Sequence, residues 1–168
     1  MSLAKEIKTI AQITGEFKLR SGKTSNRYFD KYRFESDPKL LSKIAQGMLE
    51  LIPANTQVLC GLEMGGIPVV TMLSHYSGLP CAFIRKEAKT YGTCQYAEGY
   101  DLAGQKILLI EDVVSSGGAI LDAAKMLRND GIEVKQAVCV IDRQTGGMEK
   151  LAEQGVELKS LLTAEDFD

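Results

Sequence analysis

Apolar positions along this chain fall first at helical spacing and then in short runs of strand length that alternate with helical stretches. Between Ser2 and Ile13, Leu3, Ile7, Ile10 and Ala11 share one helical face, and Gly15 ends the pattern. Phe17 to Leu19 and Arg27 to Phe34 read as two short strands around the turn-forming segment Ser21-Gly22-Lys23-Thr24-Ser25-Asn26, giving a hairpin-like flap. Asp37-Pro38 supplies a cap and a first-turn proline for a helix with the stripe Leu40, Leu41, Ile44, Met48 and Leu51, and Pro53 lies just past its end. From Gln57 onward the rhythm is strand Val58 to Gly61, helix Ile67 to Tyr76, strand Cys81 to Arg85, strand Ile107 to Ile110 and helix Ala119 to Arg128. Strand Val134 to Ile141 and a short last strand, Glu157 to Leu162, follow. Strands separated by helices predict an α/β fold, with a parallel sheet covered on both faces and ligands at the carboxyl ends of the strands.

The unusual residues collect at those ends. Gly61 to Pro68, with Gly61, Gly65 and Gly66, follows one strand; Arg85-Lys86, Glu111-Asp112 and Asp142-Arg143 end three others. The centre is the stretch Gln105 to Arg128. Its strand ends in two adjacent carboxylates, and the loop Ser115-Ser116-Gly117-Gly118-Ala119 is small enough for backbone N–H groups to wrap an anion at a helix N-terminus. A cradle for an anion beside acids that repel a bare anion suits a phosphorylated polyol, whose hydroxyls or metal face the carboxylates. An ordinary buried strand with a small acidic loop is the alternative, although paired acids at a buried strand end are costly without a task. Neither the G-x-x-x-x-G-K-[ST] nor the G-x-G-x-x-G arrangement of nucleotide-binding loops follows this strand.

Composition narrows the class. A chain of 168 residues with 45% hydrophobic and 25% charged residues has the size of one globular domain, and a net charge of -2 argues against a nucleic-acid surface. No apolar run approaches the ~20 residues that span a bilayer, and the N-terminus lacks an apolar signal segment, so a cytoplasmic protein is expected. Cys60, Cys81, Cys94 and Cys139 are scattered without a C-x-x-C pair and read as reduced packing residues. His75 is the only histidine, which argues against a histidine triad or zinc site.

The segment LLIEDVVSSGGA, residues 108–119, resembles the ribose-phosphate signature of the type I phosphoribosyltransferases, which bind phosphoribosyl pyrophosphate (PRPP) there. Arg85-Lys86-Glu87-Ala88-Lys89-Thr90-Tyr91-Gly92 is similar to the R-K-x-x-K-x-H-G lid loop of the orotate phosphoribosyltransferases, with Tyr91 where histidine is commonest. A long polar stretch reaching Asp101, with Gly92 and Gly99 to bend it, has the character of a lid. Phe17 to Gly22, Ser25 to Phe29, the Asp142-Arg143 pair and the closing LLTAEDF also match, so the resemblance covers nearly the whole chain, most densely from Phe83 to Ala124.

The resemblance implies a type I phosphoribosyltransferase fold in a single domain, 1–168, whose residues 1–36 contribute a hood. It implies PRPP contacts from Arg20, Met64, Gly65, Arg85, Lys86, Lys89, Tyr91, Glu111, Asp112, Val113, Val114, Ser115, Ser116, Gly117, Gly118 and Ala119, with Lys89, Arg85 and Asp112 in catalytic roles. Tyr28, Phe29 and Ser115 would contact orotate, and Arg143 would grip its carboxylate with a planar fork. Magnesium would be held mainly through PRPP and water, with no direct protein ligand, and a homodimer would share lid residues across its interface. The implied reaction makes orotidine 5′-monophosphate and diphosphate for pyrimidine biosynthesis. Three departures bear on the choice of base: Gly65, where better-known bacterial members carry a basic residue; Tyr91; and Gly118, where a hydroxyl residue is common. They keep open a phosphoribosyltransferase for another base, or a PRPP-binding regulator without catalysis.

Overall fold

The computed structural model describes residues 1–19 and 21–168, so the PRPP contact expected of Arg20 lies outside the described residues. Helix α1 (Leu3–Ala11) starts at Ser2, whose side chain accepts from the Lys5 N–H. Strands β1 (Gln12–Lys18) and β2 (Thr24–Phe29) pair antiparallel into a two-stranded sheet. The strand expected to run to Phe34 ends at Phe29. Asp30 accepts from the Tyr32 N–H and starts a single helical turn, α2 (Lys31–Glu35), which carries Phe34 into the core with 0% exposure. Burying a phenylalanine stabilises the fold by ~1.5–3 kcal/mol, enough to turn a short apolar-flanked segment from strand to helix. Helix α3 (Pro38–Met48) begins on the expected cap, since Asp37 accepts from the Lys39 and Leu40 N–H groups, and a 3-10 turn (Leu49–Leu51) follows it.

The main sheet contains β3 (Val58–Leu62), β4 (Cys81–Ile84), β5 (Ala97–Gly99), β6 (Ile107–Val114), β7 (Gln136–Asp142) and β8 (Glu157–Thr163), in spatial order β5-β4-β3-β6-β7-β8. All neighbours are parallel except β5, which runs antiparallel to β4. Helix α4 (Gly66–Ser77) follows β3, α5 (Gly118–Asn129) follows β6, and α6 (Gly147–Glu153) follows β7. Beyond α2, the structure adds β5, α6 and a closing 3-10 turn (Ala164–Phe167) to the expected elements. The three-residue β5 is too short and polar to show a pattern, and α6 buries only Gly147 and Leu151, too few for a stripe.

Successive residues of each central strand feed opposite layers, as the pleat requires. Cys60, Leu109 and Cys139 pack with Ile120, Leu127 and Leu151 beneath α5 and α6, while Leu59, Leu108 and Val138 pack with Ile7, Phe34, Ile44 and Leu73 beneath α1 to α4. Burial pushes the Cys60 thiol up to about 12 and raises that of Cys139 as well, and all four cysteines are free, so both serve as small apolar residues. From the adjacent strands β3 and β6 the sheet grows outward in both directions, toward β5 and toward β8. Their carboxyl ends therefore flank the topological switch point, where open α/β sheets bind ligands.

Candidate active site

Glu111 and Asp112 are the fifth and sixth residues of β6, so they are pinned by the sheet rather than hanging from a loop. Asp112 is fully buried and Glu111 nearly so. The Asp112 N–H donates to Glu111 Oε1 at 3.0 Å and the Val113 N–H to Asp112 Oδ1 at 2.6 Å. Two residues without a role in the sequence reading complete this cluster. Lys31 and Glu35, one helical turn apart on α2, face the end of β6, and Lys31 Nζ lies 2.7 Å from Asp112 Oδ2. The i, i+4 spacing behind the Asp30 cap was the available signal for them, but it was hidden while the segment read as strand.

Burial, and then the neighbouring Asp112 carboxylate, push both Glu35 and Glu111 up to about 9. Burial works against the Asp112 charge too, yet the acid hydrogen bonds from Glu35 and Glu111 and the Lys31 ammonium hold it below the usual carboxylate range. Burial likewise opposes the Lys31 charge, and the Asp112 carboxylate more than offsets it, leaving the ammonium raised. At neutral pH the cluster thus carries one anion, Asp112, and one cation, Lys31. With both acids ionised, neither Glu35 oxygen has a hydrogen bond among the described residues and Asp112 Oδ2 meets only the Lys31 ammonium; a proton on Glu35 makes it a donor to Asp112.

Across the crevice the β3–α4 loop comes close enough to exclude a side chain. A Cβ on Gly65 would stand 1.8 Å from Asp112 Oδ2 and 3.0 Å from Glu35 Oε1, and one on Gly66 would stand 2.6 Å from the Ile110 carbonyl oxygen. Met64 is 60% exposed at the tip of this loop. Beyond β6, Val113 and Val114 lead into the exposed Ser115 and Ser116. Gly117 then adopts φ +76° as the α5 N-cap, and no side chain caps that helix, so its first-turn N–H groups stay open to an anion. Gly118 has room for a side chain, its Cβ position being 3.6 Å from Ser116 Oγ. A cavity of about 510 Å³ joins this loop to Glu63, Arg85 and Lys86. Cavities of about 590 and 640 Å³ lie behind the lid and between the chain ends, and neither touches the carboxylates or the anion loop.

The lid folds back as an arm on the sheet edge. The Arg85 N–H donates to the Tyr96 carbonyl and the Lys89 N–H to the Gln95 carbonyl, which brings Glu98 of β5 against both cations. Lys89 Nζ lies 2.5 Å and Arg85 Nε 3.3 Å from Glu98 Oε1. The Lys89 hydrogen bond, ahead of the smaller burial penalty, holds the Glu98 carboxyl below its ordinary range. Lys86 uses its N–H on Glu63 Oε1 at 2.5 Å, and Tyr91 is 71% exposed beneath the Lys89 ammonium, 5.9 Å from its ring centroid. In this conformation Lys89 and Tyr91 stand with Glu98 and apart from the carboxylates of β6.

Arg143 is placed by its N–H, which donates to the Val114 carbonyl at 2.8 Å and ties the end of β7 to the anion loop. Its guanidinium sits 5.6 Å from the Phe29 ring centroid, and both residues line a cavity of about 150 Å³ with Lys8, Gln12 and Phe167. Tyr28, adjacent in β2, packs instead on Phe17 with ring centroids 5.5 Å apart and is 45% exposed. Of the aromatic pair expected over the base, the structure brings Phe29 to Arg143 and leaves Tyr28 on the other side of the strand.

The phosphoribosyl transferase domain family matches residues 35–159. An orotate phosphoribosyltransferase of a Nocardioides species is 48% identical over 167 residues, covering 99% of this chain and 93% of that one. The chain belongs to the orotate phosphoribosyltransferase family. The orotate phosphoribosyltransferase of Methanocella arvoryzae is 42% identical over 153 residues, 91% of this chain and 87% of that one. Among solved structures, orotate phosphoribosyltransferase of Mycobacterium tuberculosis in complex with PRPP superposes with a TM-score of 0.84 at 27% identity, covering 98% of this chain and 96% of that one. The expected type I phosphoribosyltransferase fold, with its central, mostly parallel sheet flanked by helices, is thus the observed one.

Proposed function

We propose that this protein transfers ribose 5-phosphate from PRPP to orotate, giving orotidine 5′-monophosphate and diphosphate in pyrimidine biosynthesis. The observation that carries the choice of base is Arg143 over Phe29, on a small cavity tethered through Val114 to the anion loop. A ring stacked on Phe29 with its carboxylate on the guanidinium fits that pairing, and the names of the relatives agree with it. We read the chain as one domain whose residues 1–36 form the hood.

In the reaction the bond from the anomeric carbon to the diphosphate oxygen breaks and a bond to the pyrimidine nitrogen forms. Charge separation sets the barrier, and preorganised donors are worth ~10²–10³ each in such steps. The loop Ser115 to Ala119 and the α5 N-terminus hold the 5′-phosphate, Glu111 and Asp112 face the ribose hydroxyls, and Arg85, Lys86 and Lys89 meet the leaving diphosphate. Orotate's ring nitrogen is acidic enough to react as an anion, so no strong protein base is demanded. Closure of the lid excludes water from the oxocarbenium-like centre. An ionised, buried Asp112 whose Oδ2 is met only by the Lys31 ammonium is chemistry that a ribose hydroxyl or a hydrated hard cation would complete. Magnesium bound through PRPP and water would supply positive charge at the diphosphate. A homodimer that lends Lys89 to the neighbouring site is supported by the resemblance and by the turning of Lys89 onto Glu98 within its own chain. No helix among the described residues is long and apolar enough to cross a membrane, which accords with the cytoplasmic location we propose.

The test is consumption of orotate with PRPP and magnesium, run beside uracil, hypoxanthine and adenine. A charge-assisted pair is worth ~1.5–3 kcal/mol, so Arg143 should favour orotate over uracil by at least about tenfold, and Arg143→Ala should erase most of that preference. Arg143→Lys should restore only part, because an ammonium does not reproduce the planar fork. Equal use of uracil or hypoxanthine by the wild-type protein would replace orotate with a broader base range.

A further inference from the structure

The β3–α4 loop, with Glu63, Met64 and Gly65 at its turn, brings no cation to the β3 side of the crevice. As the site stands, the Asp112 carboxylate occupies the place of a Cβ at Gly65. The same oxygen, Oδ2, carries the Lys31 ammonium at 2.7 Å. Lys31, Asp112 and residue 65 therefore meet at one point, and the positive charge there arrives from the hood instead of the loop.

We propose that Lys31 is a PRPP-binding residue, resting on Asp112 in the free protein and passing to a diphosphate oxygen when PRPP binds. The inference rests on the phosphoribosyl-transfer reading of this site and adds a ligand contact to it. Asp112 is held in place by its Oδ1 bond to the Val113 N–H, so Oδ2, which carries only the Lys31 ammonium, is the oxygen a ribose hydroxyl would take. A hydroxyl on Oδ2 displaces the ammonium toward the nearest anion, which is the diphosphate of the same ligand. Lys31 is able to follow, since its side chain is 34% exposed while that of Asp112 is 0%. Glu35, 5% exposed, lies one helical turn beyond Lys31 beside the same carboxylate.

The experiment is calorimetric titration of the protein with PRPP and magnesium in the absence of base, followed by steady-state kinetics. Lys31→Met should weaken PRPP by about tenfold or more, as expected for loss of a charge-assisted contact, while the KM for orotate stays within about twofold. Lys31→Arg keeps the charge and should recover most of the affinity. PRPP affinity within twofold of wild type in Lys31→Met, or a Lys31→Arg variant as weak as Lys31→Met, would overturn the assignment. Failure of the wild-type protein itself to bind PRPP would instead overturn the reading of the whole site. A second measurement needs no variant: amine acetylation of the wild-type protein read by mass spectrometry. PRPP with magnesium should protect Lys31 at least about threefold, and ribose 5-phosphate, which lacks the diphosphate, should not. Equal labelling of Lys31 with and without PRPP would also refute the contact.

Discussion

Two lysines each rest on a carboxylate, one on α2 and one on the arm between β4 and β5, and their settings differ. Lys31 stands on a capped helical turn against Asp112, which is buried and fixed by its own strand. Lys89 stands on a polar arm at the sheet edge, against a Glu98 that is itself partly exposed. A buried partner holds a cation close to its working position before substrate arrives. A pair whose acid keeps part of its side chain in water is screened more strongly and lets its cation go more readily. The contrast separates a cation suited to ground-state binding from one suited to the closed, reacting state, and that distinction can be broken by measurement.

The largest effect is expected at the lid. If Lys89 meets the diphosphate only as it leaves, Lys89→Ala should lower kcat by about 10²–10³ with little change in the KM for orotate. A change confined to KM would place Lys89 in ground-state binding and remove the contrast. Releasing the resting contact with Glu98→Gln should alter kcat by less than about fivefold, because a partly solvated pair at the sheet edge is weakly held.

The two regions were also unequally legible in the sequence. The βα rhythm, the glycine-rich anion loop and the acids of β6 were readable because periodicity and motif spacing are local properties of the chain. Lys31 and Glu35 were not, because Phe34 made residues 27–34 look like a strand; only tertiary burial of that ring turns them into a helix. The reading of residues 85–101 as a lid did not disclose β5, since a three-residue edge strand takes its identity from β4 beside it. Gly65 was visible as a departure from the family pattern, but its neighbour was not: the Asp112 carboxylate, 47 residues further along the chain, stands against it, which no local spacing encodes.

A smaller effect is expected where those distant residues touch. In Gly65→Ala the new methyl would lie 1.8 Å from Asp112 Oδ2 and 2.4 Å from its Cγ, so the carboxylate has to leave its place. Loss of its contacts to the ribose and to Lys31 should raise the KM for PRPP by about tenfold. If the KM for PRPP in Gly65→Ala stays within about twofold of wild type, the site tolerates a displaced Asp112 and the ribose role of that carboxylate falls.

The last effect is on stability, read as a trend with pH, and it tests what charge Lys31 faces. Glu35 is pushed up to about 9 by burial and by Asp112, so the folded protein keeps a proton that the unfolded chain releases near pH 4.5. Between those values the folded state binds more protons than the unfolded one, and the contribution of Glu35 to stability falls as pH rises. Glutamine in its place donates to Asp112 as the protonated acid does, but it does not titrate. Glu35→Gln should therefore melt close to wild type at pH 5 and progressively above it toward pH 9, by about 2–4 °C for each kcal/mol gained. Melting curves of the ligand-free proteins at several pH values measure this directly. Parallel melting temperatures across that range would mean that Glu35 holds no proton, and that Lys31 faces two buried anions instead of one.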